Sequence, residues 1–399
     1  MNRPEKILLV TLAAINFTNI LDFMIMMPLG PQLMRLFHIT PQQFGALVSS
    51  YTISAGVSGL FTAFIIDKFD RKKFLQVLYA GFLIGTLACG LANNYAMLMF
   101  ARIFTGLFGG VLGAIILSIV GDTIPFERRG QAMGMIMVGF SAASVFGVPF
   151  GLFIATKMGW QAPFIFLSVL ALPLSYFIWR FVPAVNAHLN NEKQRIGQIV
   201  RSLLANTNQR KAITLMMVLM YGHFSIIPFL SPYMVANVGF MESELTYIYL
   251  IGGAFNIFTG PIIGKLSDRL GKLKVYTLFV VLCSLPVFAI TQMPQVALWI
   301  ALIATTFFFI LSGGRFIPAQ AMVSETVQPQ MRGSFMSILS SMQQLSAGVA
   351  AYVSGLIISR DPVSGHMEHY DIVGYISIAM TLSTIFLIRR IRKANGETF

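Results

Sequence analysis

Long apolar runs broken by short polar loops make up nearly the whole chain. Twelve of them come near the roughly 20 residues a helix needs to cross the hydrocarbon of a bilayer. They lie at about 7–33, 44–66, 74–92, 96–120, 131–155, 161–182, 212–236, 245–266, 274–292, 295–322, 334–358 and 372–391. Lipid offers no hydrogen-bond partner to an open backbone, so runs of this length are predicted to be α-helices. A spanning strand would instead alternate apolar and polar positions. One polar connection is long, from about 183 to 211, and carries His188, Asn190, Asn191, Glu192, Lys193, Gln194 and Arg195. The predicted architecture is an all-α membrane protein of twelve transmembrane helices. It has one six-helix bundle over 1–182, a linker over 183–211 and a second six-helix bundle over 212–399.

The two halves repeat. A shift of 201 residues lays Asp22 to Pro31 over His223 to Pro232, with Phe, Ile, Leu and Pro coinciding, and also lays Asp67-Lys68 over Asp268-Arg269. A shift of 203 lays Asp122 to Gly130 over Glu325 to Gly333. Parallel six-helix repeats with a substrate site at the midplane between them are a transporter architecture.

Composition supports a lipid-solvated chain. Of 399 residues 56% are hydrophobic and only 11% charged, against about 25% charged in a soluble domain. The formal charge of +13 would suit nucleic acid, but the bases sit in short loops between apolar runs. Lys68, Arg71, Lys72 and Lys73 follow the second run, Arg128 and Arg129 the fourth, and Lys265, Arg269, Lys272 and Lys274 the eighth. With Arg3, Lys6, the central connection, Arg332 and the basic carboxy terminus, these fall on one side. The other side receives Arg35, Lys157 and Arg360. The positive-inside rule then puts both termini and the linker in the cytoplasm. Cys89 and Cys283 lie inside apolar runs and carry no redox information. The first run is too long for a signal-peptide core and contains Asp22.

Between the second and third runs of each half stands the pattern Gly-x-x-x-Asp-Arg/Lys-x-Gly-Arg/Lys. The second half has it in full at Gly264, Asp268, Arg269, Gly271 and Lys272. In the first half Ala63 and Asp70 replace the glycines while Asp67, Lys68, Arg71 and Lys72 remain. The fourth run carries Arg102-x-x-x-Gly106, and the fifth carries Gly139, Gly147, Pro149 and Gly151. On these motifs the chain resembles the major facilitator superfamily along essentially its whole length, and within it the twelve-helix drug/proton antiporter branch. The resemblance implies alternating access, proton-coupled efflux, multidrug-type substrates and a cavity lined by the first, fourth, seventh and tenth helices. It also implies that Asp67, Lys68, Arg71, Asp122, Asp268, Arg269, Lys272 and Glu325 gate the cytoplasmic ends, and that the proton gradient is the energy source, with no bound cofactor.

An ionisable residue within a span is a functional candidate by default. Away from the ends there are four: Asp22, Arg102, His223 and Arg315. Asp22, the one carboxylate deep in a span, is the candidate proton carrier. His223, at the repeat-equivalent position, is expected to face it across the cavity and to share proton coupling or tune it. In the structural reading Asp22 is a buried acid paired to Arg315 or Asn19. Arg102 suits a coupling role. Arg315 suits a substrate anion, or neutralisation of Asp22. Asn16, Asn19, Tyr51, Tyr221, Gln343 and Gln344 complete the expected lining, with helix–helix hydrogen bonding as the alternative for each. One acid against two arginines and a histidine suits a neutral, zwitterionic or weakly anionic amphiphile. Gly139, Gly147, Pro149 and Gly151 are expected to permit close packing and a bend.

The competing readings are uptake of a metabolite on the same fold and a membrane enzyme. The one cluster of metal-ligand type, His366, Glu368 and His369, falls in an outer loop, and no metal is expected. No phosphate-binding Gly-rich lysine loop is present, so ATP drive is not expected. The expected partners are a small-molecule substrate, protons and the bilayer, with no nucleic acid. A monomer in the plasma (bacterial inner) membrane is expected.

Overall fold

The computed structural model describes residues 3–62, 65, 68–125, 128–185, 205–328 and 331–399. Among them stand twelve long helices. They are α1 (Arg3–Ile25), α2 (Pro41–Thr62), α3 (Arg71–Gly90), α4 (Tyr95–Thr123), α5 (Arg129–Met158) and α6 (Ala162–Phe181), then α7 (Thr207–Val238), α8 (Leu245–Leu270), α9 (Lys272–Thr291), α10 (Leu298–Ser324), α11 (Arg332–Ile357) and α12 (Tyr370–Ile388). By length and composition, all but α11 are apolar enough to cross a membrane. Serines together with Gln343 and Gln344 make α11 the polar exception. It packs along α2 and α7.

Helix starts follow local chemistry. Asp70 accepts from the Lys73 amide, Asn94 from Met97, and Asn206 from Asn208 and Gln209, each meeting amides that a helix start leaves open. The Asn206 cap starts α7 at Thr207, so Arg210 and Lys211 belong to its first turns and not to the expected linker. The first expected span, 7–33, is also corrected. α1 stops at Ile25, and a separate short helix, Gly30–Leu36, follows a turn at Met26–Leu29. Pro28 has no amide to continue the ladder, and Pro31 opens the short helix. In the pattern after the second run, Asp70 has φ −56° whereas its repeat counterpart Gly271 has φ +93°. The glycine turn therefore exists in the second half only.

The loop between α11 and α12 holds two short antiparallel strands, β1 (Ser359–Arg360) and β2 (Met367–Glu368). Between them Asp361 accepts from the Ser364 hydroxyl and from the Val363 and Ser364 amides, which hold its carboxyl below the usual range.

The core is divided unequally. One cluster draws on all twelve helices, including Leu21 and Ile25 of α1, Phe44 of α2, Leu98 of α4, Phe229 of α7, Phe308 of α10 and Tyr370 of α12. These positions lie at the ends of the helices remote from the chain termini. Near the termini the core parts. Leu8, Leu12, Leu75, Ile119 and Ile178 pack together within the first half, and Leu215, Tyr276, Val323, Leu339 and Ile388 within the second. The two halves thus share one core on the far face, while on the terminal face the clusters are distinct and joined through α2, whose Leu60 packs against the second-half cluster.

Contacts across the halves run along α2 and α11 and through the far face. Arg35 beside the short helix pairs with Glu242 at 2.5 Å. Phe44 meets Phe229 edge-on with ring centroids 5.9 Å apart. A Cβ on Gly45 would lie 2.6 Å from the Ala351 carbonyl oxygen, so α2 and α11 cross nearly backbone to backbone.

Candidate functional site

Asp22 is fully buried and held by three helices. Thr86 of α3 donates to one carboxylate oxygen at 3.1 Å, and Arg102 of α4 donates to the other at 2.8 Å. The Arg102 guanidinium lies 4.3 Å above the ring of Tyr51 on α2. The Tyr51 hydroxyl donates to Asn19 Oδ1 at 3.1 Å. Phe23 stacks on Tyr51, with centroids 5.3 Å apart. Four helices therefore converge on one ion pair, both members of which are buried to within 1%. The approach of α4 to α2 depends on small residues. A Cβ on Gly106 would lie 2.1 Å from the Ser54 hydroxyl, and one on Gly110 would lie 2.4 Å from Ala55 Cα.

This geometry corrects two expectations. The partner of Asp22 is Arg102, not Arg315 or Asn19. Nor do Asp22 and His223 face one another: their sequence neighbours Phe23 and Phe224 do, at 5.8 Å between ring centroids. One residue along a helix turns the side chain by about 100°. The repeat located the right turn of each helix, and the aromatic neighbour takes the face towards the other half.

His223 turns into its own half. Its Nδ1 shares a hydrogen bond of 2.8 Å with the Ser312 hydroxyl. Its ring stacks over Phe308 and is flanked edge-on by Phe224 and Phe316. Arg315, 1% exposed, donates to Thr381 Oγ1 at 3.2 Å and to Ser312 Oγ at 3.4 Å, and its Nε has no partner. Ser312 thus joins His223 to Arg315. Among the described residues no carboxylate is bonded to Arg315.

Of the other expected lining residues, Asn16 is buried and donates to the Ile136 carbonyl at 3.3 Å, so it ties α1 to α5 and does not line a cavity. Tyr51 is likewise buried. Asn19, Tyr221, Gln343 and Gln344 are half-buried.

On the terminal face the expected gating residues form two matching sets. Arg71 at the start of α3 bonds Asp122 at the end of α4 at 3.1 Å, and Lys272 at the start of α9 bonds Glu325 just past α10. The repeat offsets of 201 and 203 relate these pairs member for member. Arg129 donates to the Ile124 carbonyl at 3.0 Å, and its counterpart Arg332 donates to the Ser324 carbonyl at 3.1 Å. Lys68, Asp268 and Arg269 are exposed and stand outside these pairs. Asp67 lies outside the described residues. Each ion pair closes within one half, so none of them bridges the halves here.

The fifth-helix motif packs α5 onto α1 behind Asp22. A Cβ on Gly139 would lie 2.3 Å from the Ala13 carbonyl oxygen, on Gly147 2.9 Å from Leu21, and on Gly151 2.7 Å from Ile25. A π-turn at Ala143–Gly147 immediately precedes Pro149, where the missing amide interrupts the regular ladder.

Sequence reasoning missed Thr86, Ser312 and Thr381. Ser312 stands three residues before Arg315 on one helix face, a spacing that could have suggested it. Thr86 and Thr381 reach their partners from other helices, and nothing local marks them. Among the described residues no group of three His, Cys, Asp or Glu side chains is arranged to hold a metal.

A family model described as Major Facilitator Superfamily matches residues 12–351 and 212–397. The chain is 23% identical over 361 residues to YceJ, an uncharacterised MFS-type transporter of Bacillus subtilis (strain 168), covering 90% of this chain and 91% of that one. It is 21% identical over 352 residues to a probable sugar efflux transporter of Pasteurella multocida (strain Pm70), covering 88% and 82%. Among solved structures a D-xylose-proton symporter superposes with a TM-score of 0.78 at 16% identity, covering 99% of both chains. A bacterial homologue of the human lysosomal transporter Spinster, inward-facing and unoccupied, superposes with a TM-score of 0.73 at 16% identity, covering 97% and 95%.

Proposed function

This chain belongs to the major facilitator superfamily, and from that premise we propose that it exports small amphiphilic organic molecules in exchange for protons. It is a membrane transporter and not an enzyme. The observation that carries the proton coupling is the Asp22–Arg102 pair, at 2.8 Å and buried on both sides. A carboxylate there has one guanidinium as its charged partner, in surroundings that resist charge. A proton arriving at Asp22 removes the attraction and frees Arg102 from α1. Four helices meet at that pair, so its making and breaking biases how they pack.

The divided core supports alternating access. With one core shared on the far face and two on the terminal face, joined there through Leu60 of α2, the halves are held together more broadly away from the termini. The bases gathered on that face suit the cytoplasmic side of a plasma (bacterial inner) membrane. Drawing the halves together there would bring the ends bearing Arg71–Asp122 and Lys272–Glu325 within reach, where the pairs can be exchanged between halves. A charge crossing a 100 mV potential is worth about 2.3 kcal/mol, so one proton per cycle supports a concentration ratio on the order of 50. The chain acts as a monomer in this reading, since each half already supplies the other's partner surface. Export is favoured over uptake by the fifth-helix glycines and by the efflux names among its relatives.

Uptake of a substrate panel into inside-out vesicles, with and without a proton gradient, tests the reading. Asp22→Asn should abolish gradient-driven accumulation and keep exchange down a substrate gradient. Full proton-driven accumulation by that variant excludes Asp22 as the carrier.

A further inference from the structure

The two buried arginines of the transport path are not equivalent. Arg102 has a carboxylate at 2.8 Å. Arg315 is as deeply buried, and its hydrogen bonds go to two hydroxyls, Thr381 and Ser312; the Nε is unpartnered in both arginines, so the carboxylate is the difference. A guanidinium is always protonated, and a buried charge with only neutral partners is expensive. Of the acids on the described residues, Asp22 pairs with Arg102, Asp122 with Arg71, Glu325 with Lys272, Glu242 with Arg35 and Glu5 with Arg128, and none is bonded to Arg315. The repeat adds none, because the position opposite Asp22 is His223. Among the described residues the second half thus holds a buried cation with no carboxylate bonded to it, and its counter-charge is open.

We propose that the counter-charge is carried by the substrate, and that this transporter takes organic carboxylates, with the carboxylate bound at Arg315 between Ser312 and Thr381. Resting on the transport reading above, this names the substrate class of the same path. The guanidinium presents a fork that matches a carboxylate, and Ser312 and Thr381 add hydroxyl donors on either side. His223 and Phe316, both half-buried, form the rim, with the Arg315 guanidinium 5.8 Å from the Phe316 ring. Phe224 on the other side of His223 gives the carbon body of the ligand an apolar wall facing Phe23. Half-buried Gln343 and Gln344 on α11 can meet hydroxyl groups on that body. The ion pair in the first half is electrically closed, so proton and carboxylate occupy different halves and need not compete for one residue.

Matched acids and neutral analogues test this on the purified full-length chain in chloride-free buffer, by calorimetry and thermal melting. The probes are benzoate against benzamide, gluconate against sorbitol, and sodium chloride as the inorganic anion. At least one acid should bind while its neutral partner does not. Loss of a charge-assisted hydrogen bond should weaken that acid roughly 10- to 100-fold in Arg315→Gln, with partial recovery in Arg315→Lys and a smaller loss in Thr381→Val. The acid–neutral comparison uses the parent protein, so it decides even if a variant folds poorly. Equal binding of acid and neutral partner, binding of neither acid, or unchanged binding in a folded Arg315→Gln overturns the proposal. So does an Arg315-dependent response to chloride that no carboxylate exceeds, which would make this an inorganic-anion site. Acid binding and proton-driven transport are both read on the parent protein. Carboxylate binding without proton drive sinks the coupling reading alone, and proton drive without carboxylate binding sinks this one alone.

Discussion

Phe23 and Phe224 meet across the midline of the molecule with ring centroids 5.8 Å apart, and each is the sequence neighbour of an ionisable residue that turns away into its own half. The aromatic contact joins the halves, while Asp22 and His223 keep their chemistry inside them. Such ring pairs contribute about 0.5–1.5 kcal/mol beyond burial. A double-mutant cycle of Phe23→Leu and Phe224→Leu, read by thermal melting in a fixed lipid or detergent, should return a coupling energy in that range. A coupling of zero would mean that the rings pass without holding the halves.

Breaking the Asp22–Arg102 pair from either side leaves a buried charge alone, at about 3–5 kcal/mol. Arg102→Gln should therefore melt well below the parent. Adding Asp22→Asn should recover much of the loss, because no charge then remains at the site. The melting points of the two single variants and the double variant decide this, and an additive double variant would contradict the pairing.

Lys272 and Glu325 are each about a third exposed, so their bond should contribute no more than about 1 kcal/mol to stability. Lys272→Glu should leave the melting point within a few degrees of the parent yet slow transport, and the exchange Lys272→Glu with Glu325→Lys should restore the rate. Rates measured in proteoliposomes test the point. A swap as slow as the single variant would show that more than their mutual attraction matters.

Two glycines of α5 should behave oppositely. A Cβ at Gly139 meets the Ala13 carbonyl oxygen at 2.3 Å, whereas one at Gly134 meets nothing within 4 Å. Gly139→Ala must push α1 and α5 apart and should lower both folded yield and melting point. Gly134→Ala should be neutral or stabilise by about 0.5–1 kcal/mol. Size-exclusion profiles and melting curves of the pair provide the comparison.

The helices could be read from apolar length, because lipid constrains every residue of a span. The repeat was legible enough to relate Arg71 to Lys272 and Asp122 to Glu325, and the structure makes both combinations ion pairs. What could not be read was rotation. Choosing between Asp22 and Phe23 for the midline needs an angle finer than one residue, and offsets of 201 and 203 do not supply it. Pairing across helices was equally hidden. Arg102 is 80 positions from Asp22, and any of the buried cations suited it by charge alone. The break after α1 was visible in Pro28 and Pro31, but the continuous apolar run around them masked it.

The unequal core has a practical corollary in the chain's three tryptophans. Trp160 is 3% exposed and lies in the core shared by all the helices, edge-on to Phe37 and Phe164. Trp179 and Trp299 are 60% and 64% exposed, on the outside of the bundle. Of the three, only Trp160 lies in that shared core, so in the alternating-access cycle proposed above it is the one whose surroundings change when the far face opens. Its emission would shift as that core takes in water, over a steady background from the other two. The chain carries its own optical gauge of which face is open, and replacing Trp179 and Trp299 with phenylalanine would leave that gauge reading alone.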